Sequence, residues 1–176
     1  MIELSSHSGI HTLKATQRLP VGLQTAWEFL SSPENLQKIT PKHMEFVITS
    51  EHKEGSMYPG QIITYRVSPF KGYRTNWVTE ITHVKENEYF VDEQRFGPYT
   101  FWHHKHFLKE VEGGVEMIDI VSYKVPMGWI GNLVNRILIS KKVKQIFEYR
   151  FEILEEIFGT FNERHIDTSS ELRKII

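Results

Sequence analysis

The chain has 176 residues, enough for one domain with a sizeable core, and its 21 basic and 22 acidic side chains nearly cancel at a net charge of −1, which gives no general reason to bind nucleic acid or anionic lipid. It has no cysteine, which excludes disulfides and thiol chemistry, and no apolar stretch long enough to span a bilayer. The opening residues, MIELSSHSGIHTLKA, lack a basic segment followed by an apolar run, so no secretory leader is expected and a cytoplasmic location fits.

In chain order, residues 10–19 (IHTLKATQRL) alternate well enough for an opening strand. Thr25 is then placed to cap a short helix carrying Trp27, Phe29 and Leu30. Ser32-Pro33 starts a second short helix through Leu36 and Ile39, which Pro41 stops. Strand-like runs follow at 44–50, 60–68, 73–85, 88–96, 99–111 and 114–125, divided by turn signals at Glu54-Gly55, Pro69 to Gly72, Glu86-Asn87, Gly97-Pro98 and Gly113-Gly114. These connections are too short for crossover helices, so the sheet is expected to be an antiparallel meander. After Pro126 the pattern turns helical until Gly159, a plausible stop. Residues 1–160 therefore read as one α+β domain of about seven strands, with 161–176 as a loose polar tail. A curved sheet must cover its apolar face, and the long C-terminal helix is the only element large enough to do so.

Strand alternation sorts the side chains. In 99–108 one face carries Tyr99, Phe101, His103, Lys105 and Phe107; the other carries Thr100, Trp102, His104, His106 and Leu108. Lysine rarely sits unpaired in a core, so the second face points inward. In 115–125 the better core face is Val115, Met117, Asp119, Val121 and Tyr123. Trp77, Thr79, Ile81 and His83 share one parity on their own strand. On the long helix, Ile139, Val143, Phe147, Phe151, Leu154 and Phe158 form one stripe, and Ile130, Leu133, Val134, Ile137 and Leu138 another. The stripes are offset by about a third of a turn at 100° per residue. Either the helix bends or unwinds near Ser140-Lys141, or its first half, with Met127 and Trp129, faces elsewhere as one lip of a cavity mouth. A second candidate mouth lies near Gly55–Gly60.

With this order, and with the stretches TNWVTEI (75–81), FVDEQRFGPYTFWHHKHFL (90–108), MIDIVSYKVP (117–126) and KKVKQIFEYR (141–150), the chain resembles the START-like superfamily over about residues 10–159. That superfamily has the helix-grip fold and is also called Bet v 1-like or polyketide cyclase/dehydrase-like. Within it the chain looks most like the bacterial ligand-binding SRPBCC proteins. The resemblance implies an internal cavity for a hydrophobic ligand between sheet and long helix. It carries over Asp92, Gln94, Trp102, His104, His106, Asp119 and Tyr123 as cavity or near-cavity positions, and places His103 at a more variable point. It implies no cofactor, and no cofactor-binding motif occurs in the chain.

Three histidines within four positions, His103, His104 and His106, admit several chemistries. His104-x-His106 puts two imidazoles on one strand face, and Asp119 is a candidate third metal ligand, but this spacing lacks the extended pattern of a specific zinc motif, so no metal is expected. A histidine paired with Asp119, with Tyr123 as donor, suits acid–base catalysis of a cyclase or dehydratase type. The favoured reading is binding without chemistry, since an apolar cavity with a few fixed polar groups is enough to orient a ligand. A filled core whose polar groups satisfy one another is the bland alternative.

The expected ligand-binding set is Trp77, Asp92, Gln94, Trp102, His104, His106, Met117, Asp119, Tyr123, Trp129, Leu133, Ile137 and Phe147. The expected ligand is a lipid, isoprenoid, polyketide or aromatic metabolite. Use of the groove for a partner's apolar segment is a third class of function, and the chain is expected to be a monomer or dimer. Lys141, Lys142 and Lys144 read as a solvated helix face, and stable membrane anchoring is not expected.

Overall fold

The computed structural model describes residues 1–50, 57–70 and 72–162. Its strands are β1 (Ile2–His7), β2 (Ile10–Leu19), β3 (Val47–Ile48), β4 (Gln61–Phe70), β5 (Tyr73–Lys85), β6 (Tyr89–Phe96), β7 (Phe101–Val111) and β8 (Gly114–Lys124). Its helices are α1 (Leu23–Leu30), α2 (Pro33–Lys38), α3 (Gly128–Val134) and α4 (Ser140–Phe158), with a 3-10 turn at Lys42–Met44 and a π-helical turn at Asn135–Ile139. The strands form one antiparallel sheet in the order β1-β2-β8-β7-β6-β5-β4-β3. The meander from β4 to β8 is as expected, and β2 returns the chain's start to the side of β8.

Four local features differ from the expectation. Residues 2–7 add a strand, β1, paired with β2 across a turn in which Ser8 and Gly9 both have positive φ, 52° and 77°. Two positive-φ residues match the right-handed twist of a hairpin, but β1 is largely exposed and shows no core-facing alternation. The first helix begins at Leu23 with Gly22 as its extended N-cap, so Thr25 lies inside the first turn and caps nothing. The run expected from residue 44 is a strand only at Val47–Ile48, because Glu45 takes a left-handed conformation (φ 45°) after the 3-10 turn. Finally, the pairing of β5 with β6 shifts between Ile81 and His83. That irregularity reverses the parity: His83 is exposed and Val84 packs on the core.

The core has two parts. One joins the sheet to α1, α2 and the C-terminal half of α4, with Trp27, Ile63, Ile81, Val115, Met117 and Leu154 almost fully buried. The other lies between β2, β8 and the first turns of α4, around Leu13, Val121, Tyr123 and Val143. The two offset stripes of the C-terminal helix are accommodated by the π turn, which changes the helical phase just before Ser140. The α4 stripe of Val143, Phe147 and Leu154 is buried, whereas Ile130, Leu133, Ile137 and Leu138 are exposed. Gly131 lets α3 start close to the preceding segment, since a Cβ there would come within 1.9 Å of the Pro126 carbonyl oxygen. Of the expected tail, residues 163–176 lie outside the described residues, as do Glu54-Gly55 and Lys71 in the expected turns. Phe161 packs against the turn at Gly113.

Candidate functional site

The site follows from register. Asp92 on β6 lies opposite His104 on β7, and His106 on β7 lies opposite Asp119 on β8. Period-two alternation sends all four side chains to the inward face, so they form a diagonal across three strands. His104 and His106 are buried and Asp119 is fully so.

The distances describe a closed group. Asp119 Oδ1 accepts from His106 Nδ1 at 2.7 Å and from His104 Nε2 at 3.2 Å. Asp92 Oδ2 lies 2.8 Å from His106 Nε2 and 3.3 Å from His104 Nδ1. The imidazole centroids are 3.6 Å apart. His106 stacks on Phe90 at 4.0 Å, and His104 meets Phe147 of α4 edge-on. Arg150, one turn further along α4, places Nη1 3.6 Å from Asp119 Oδ1.

Burial disfavours charge on both imidazoles, but the two differ in outcome. For His106, hydrogen bonds to Asp119 and Asp92 outweigh burial and raise its pKa. For His104, burial and the charge of His106 outweigh the carboxylates and lower its pKa. Burial also works against the carboxylates. Arg150 and the two histidines overcome it and hold Asp119 well below the ordinary carboxylate range. The histidines, with Arg150, also lower Asp92. Arg150 and the histidines thus offset the cost of placing carboxylates at Asp119 and Asp92.

This group borders a pocket of about 180 Å³ between the sheet and α4. Leu30, Ile39, Phe46, Tyr65, Trp77, Phe90, Trp102, Val143 and Phe147 supply most of an apolar wall. Asp92, His104, His106 and Arg150 interrupt it, and Thr40, Thr79 and Lys142 also reach it. At one side Trp77 packs edge-to-face on both Tyr99 and Trp102, the latter 5.1 Å away. Such a site can orient one polar group of an otherwise apolar molecule, hold a proton between carboxylates, or accept a cation.

Of the thirteen residues expected to bind ligand, Trp77, Asp92, Trp102, His104, His106 and Phe147 line this pocket. Asp119 stands behind the histidines and holds them, off the wall. Gln94 instead clamps the β6–β7 turn, exchanging hydrogen bonds with the Tyr99 backbone at 2.6 and 3.2 Å. Met117 is in the core, and Tyr123 packs in the second core cluster beside Tyr99 and Trp102. Trp129, Leu133 and Ile137 are exposed and away from the pocket, because the π turn rotates α3 out of phase with α4. The candidate mouth at Met127–Gly131 is therefore an exposed apolar edge; of the other, Gly55–Gly60, residues 55 and 56 lie outside the described residues and Met57 lines the pocket.

Arg150 was not anticipated. Its signal is positional: it falls three residues after Phe147 and four before Leu154, on the buried stripe, where an arginine needs a partner. The wall supplied by Met44 and Phe46 has no such signal, because it depends on how the segment between α2 and β3 folds over the sheet, where Phe46 packs on Tyr65 of β4.

No protein-family model matches this chain, and no curated protein does either. Solved structures do match. Protein Ms6760 from Mycobacterium smegmatis is 15% identical with a TM-score of 0.63, over 89% of this chain and 99% of that one. Ara h 8.0201 is 18% identical with a TM-score of 0.56, over 84% of this chain and 99% of that one. This chain has the Bet v 1-like helix-grip fold. A third match, protein CV1439 from Chromobacterium violaceum, is 12% identical with a TM-score of 0.64, over 85% of this helix-grip chain and 99% of that one. Identities this low carry the fold alone. Among the described residues, no helix is long and apolar enough to cross a membrane.

Proposed function

We propose that this protein binds one small, largely apolar molecule in the pocket between sheet and α4, with a polar group of that molecule held by Asp92, His104 and His106. The observation that carries this reading is the wall itself: apolar side chains on nearly all sides, with the charged groups gathered in one place. A pocket of about 180 Å³ suits a single aromatic ring or a short aliphatic chain, since a dry cavity of ~150 Å³ holds benzene. Among the ligand classes expected from sequence, an aromatic metabolite fits this size best.

The test is mass spectrometry of the purified protein, native and then after organic extraction. One apolar molecule per chain with a single polar group is the expected result. Retention of that molecule is expected to fall by about 10-fold or more in His106→Ala, the loss of a hydrogen bond to a charged group, and to stay unchanged in His103→Ala. Equal effects of the two substitutions, or an empty protein that no small aromatic acid or alcohol will bind, overturn the reading.

A second reading, acid–base chemistry on the bound molecule, is favoured by the 3.2 Å contact of His104 with Asp119 beside the pocket. Incubating the extracted molecule with wild type and with His104→Ala separates the two: a product formed only by the wild type supports catalysis, and no product supports binding alone.

A further inference from the structure

We infer that Asp92, His104 and His106 form a site for a divalent first-row transition-metal ion on the pocket wall. Histidines two apart on a strand are common without metal; the informative feature is what each ring does with its second nitrogen. Asp119 Oδ1 takes a hydrogen bond from one nitrogen of each ring, His104 Nε2 and His106 Nδ1. This turns the remaining nitrogen of each ring, His104 Nδ1 and His106 Nε2, toward the same oxygen of Asp92. One nitrogen from each histidine and an Asp92 oxygen lie within 4.8 Å of one another.

The separations suit a shared ion. Ligand atoms about 2.0–2.1 Å from a metal, at tetrahedral or right angles, stand about 2.9–3.4 Å apart. The two nitrogens lie 2.8 and 3.3 Å from Asp92 Oδ2. Asp119 then has the part usual for a carboxylate behind ligating histidines: it fixes the tautomer and aims the lone pairs. Arg150 lies beside Asp119 at 3.6 Å and balances its charge. Binding displaces the proton shared by His106 Nε2 and Asp92 to solvent and leaves both as ligands. Asp92, His104 and His106 all reach the pocket wall while Asp119 does not, so the remaining coordination positions open into the pocket. Two imidazoles and one carboxylate with open positions suit zinc, iron(II) or cobalt(II) better than calcium or magnesium, which prefer oxygen. This inference does not depend on the nature of any organic ligand.

The test uses untagged full-length protein, stripped with a chelator and titrated with Zn²⁺ and with Co²⁺ by calorimetry and visible absorption. The expected result is one ion per chain, with affinity reduced about 100-fold or more in His104→Ala and in His106→Ala. Asp119→Asn is expected to cost about 10–100-fold, as for other residues behind metal ligands. His103→Ala, whose ring pairs with Glu93 on the outer face, is expected to bind as wild type does. Because the variants alter a buried charge group and a variant that fails to fold reports nothing, X-ray absorption on zinc-loaded wild type provides an independent readout. Two imidazoles in the first coordination sphere support the site. Fewer than two, no stoichiometric binding at tens of micromolar Zn²⁺, or equal losses from His103→Ala and a folded His104→Ala overturn it.

Discussion

Two regions bordering the same interior differ in kind. On β6, β7 and β8, charged and polar side chains are turned inward: His104, His106 and Asp119 are buried and Asp92 half-buried, among Phe90, Trp102 and Val121. Along α3 and the π turn the reverse holds. Met127, Trp129, Ile130, Leu133 and Ile137 are apolar and stand 45% to 77% exposed. A strand inside a sheet has little choice, because its hydrogen-bonded neighbours fix which face each residue takes, whatever its polarity. A helix is fixed only by what it packs against, and one wide turn is enough to rotate its stripe away from the core. The buried polar group is therefore held by backbone register, and the exposed apolar edge is left by a lack of it.

Several substitutions break or sharpen this contrast. The largest effect is expected from Arg150→Met, which leaves Asp119 fully buried without its guanidinium partner and is predicted to cost about 3–5 kcal/mol in chemical denaturation. A loss below about 1 kcal/mol would mean that the inner charges are not mutually balanced as described. Met117→Ala comes next. Met117 is almost fully buried in the core, so about 2–5 kcal/mol of stability should be lost while ligand retention by the folded fraction stays unchanged. Weakened retention at full stability would return Met117 to the pocket.

A third test uses pH. Burial raises the pKa of Tyr65, Tyr99 and Tyr123, the last to about 12. The unfolded chain gives up these phenolic protons first, so stability is full below the ordinary tyrosine value of about 10 and falls as pH climbs toward 12. Melting curves of Tyr123→Phe should fall less steeply than wild type across that range; identical slopes would show that Tyr123 titrates normally. The smallest effect belongs to the outer region. Trp129→Ala and Ile137→Ala should each change stability by no more than about 0.5 kcal/mol. A loss above about 1 kcal/mol would mean this edge is covered in solution, which size-exclusion chromatography would then show as a dimer.

Legibility in the sequence followed the same division. The strands from β4 to β8 and the inward orientation of His104, His106 and Asp119 could be read because alternation is local and each run was bounded by turn residues. Even there a single register shift, after Ile81, was enough to reverse His83 and Val84. Gln94 shares the inward parity of Asp92, yet the β6–β7 turn takes up its amide, a use that alternation alone cannot predict. The phase conflict between the two helical stripes was visible, but not its resolution. A wide turn with the leading half exposed and a bend with that half inside are equally consistent with the residue pattern, so the pattern alone does not tell that Trp129, Leu133 and Ile137 stand exposed. The β1 hairpin was missed because an exposed edge strand carries no hydrophobic period.

What the sequence determined by itself is the order of elements, the antiparallel meander and the residue types on its inner face, since each depends on neighbours within a few positions. Only the tertiary structure decided which of those residues meet. The β6–β7–β8 register set Asp92 against both histidines and Asp119 behind them, and α4 brought Arg150 to Asp119 from the far side. Contacts between residues 12 to 31 positions apart depend on strand register and helix docking, and those are settled by the packing of the whole sheet against its helix.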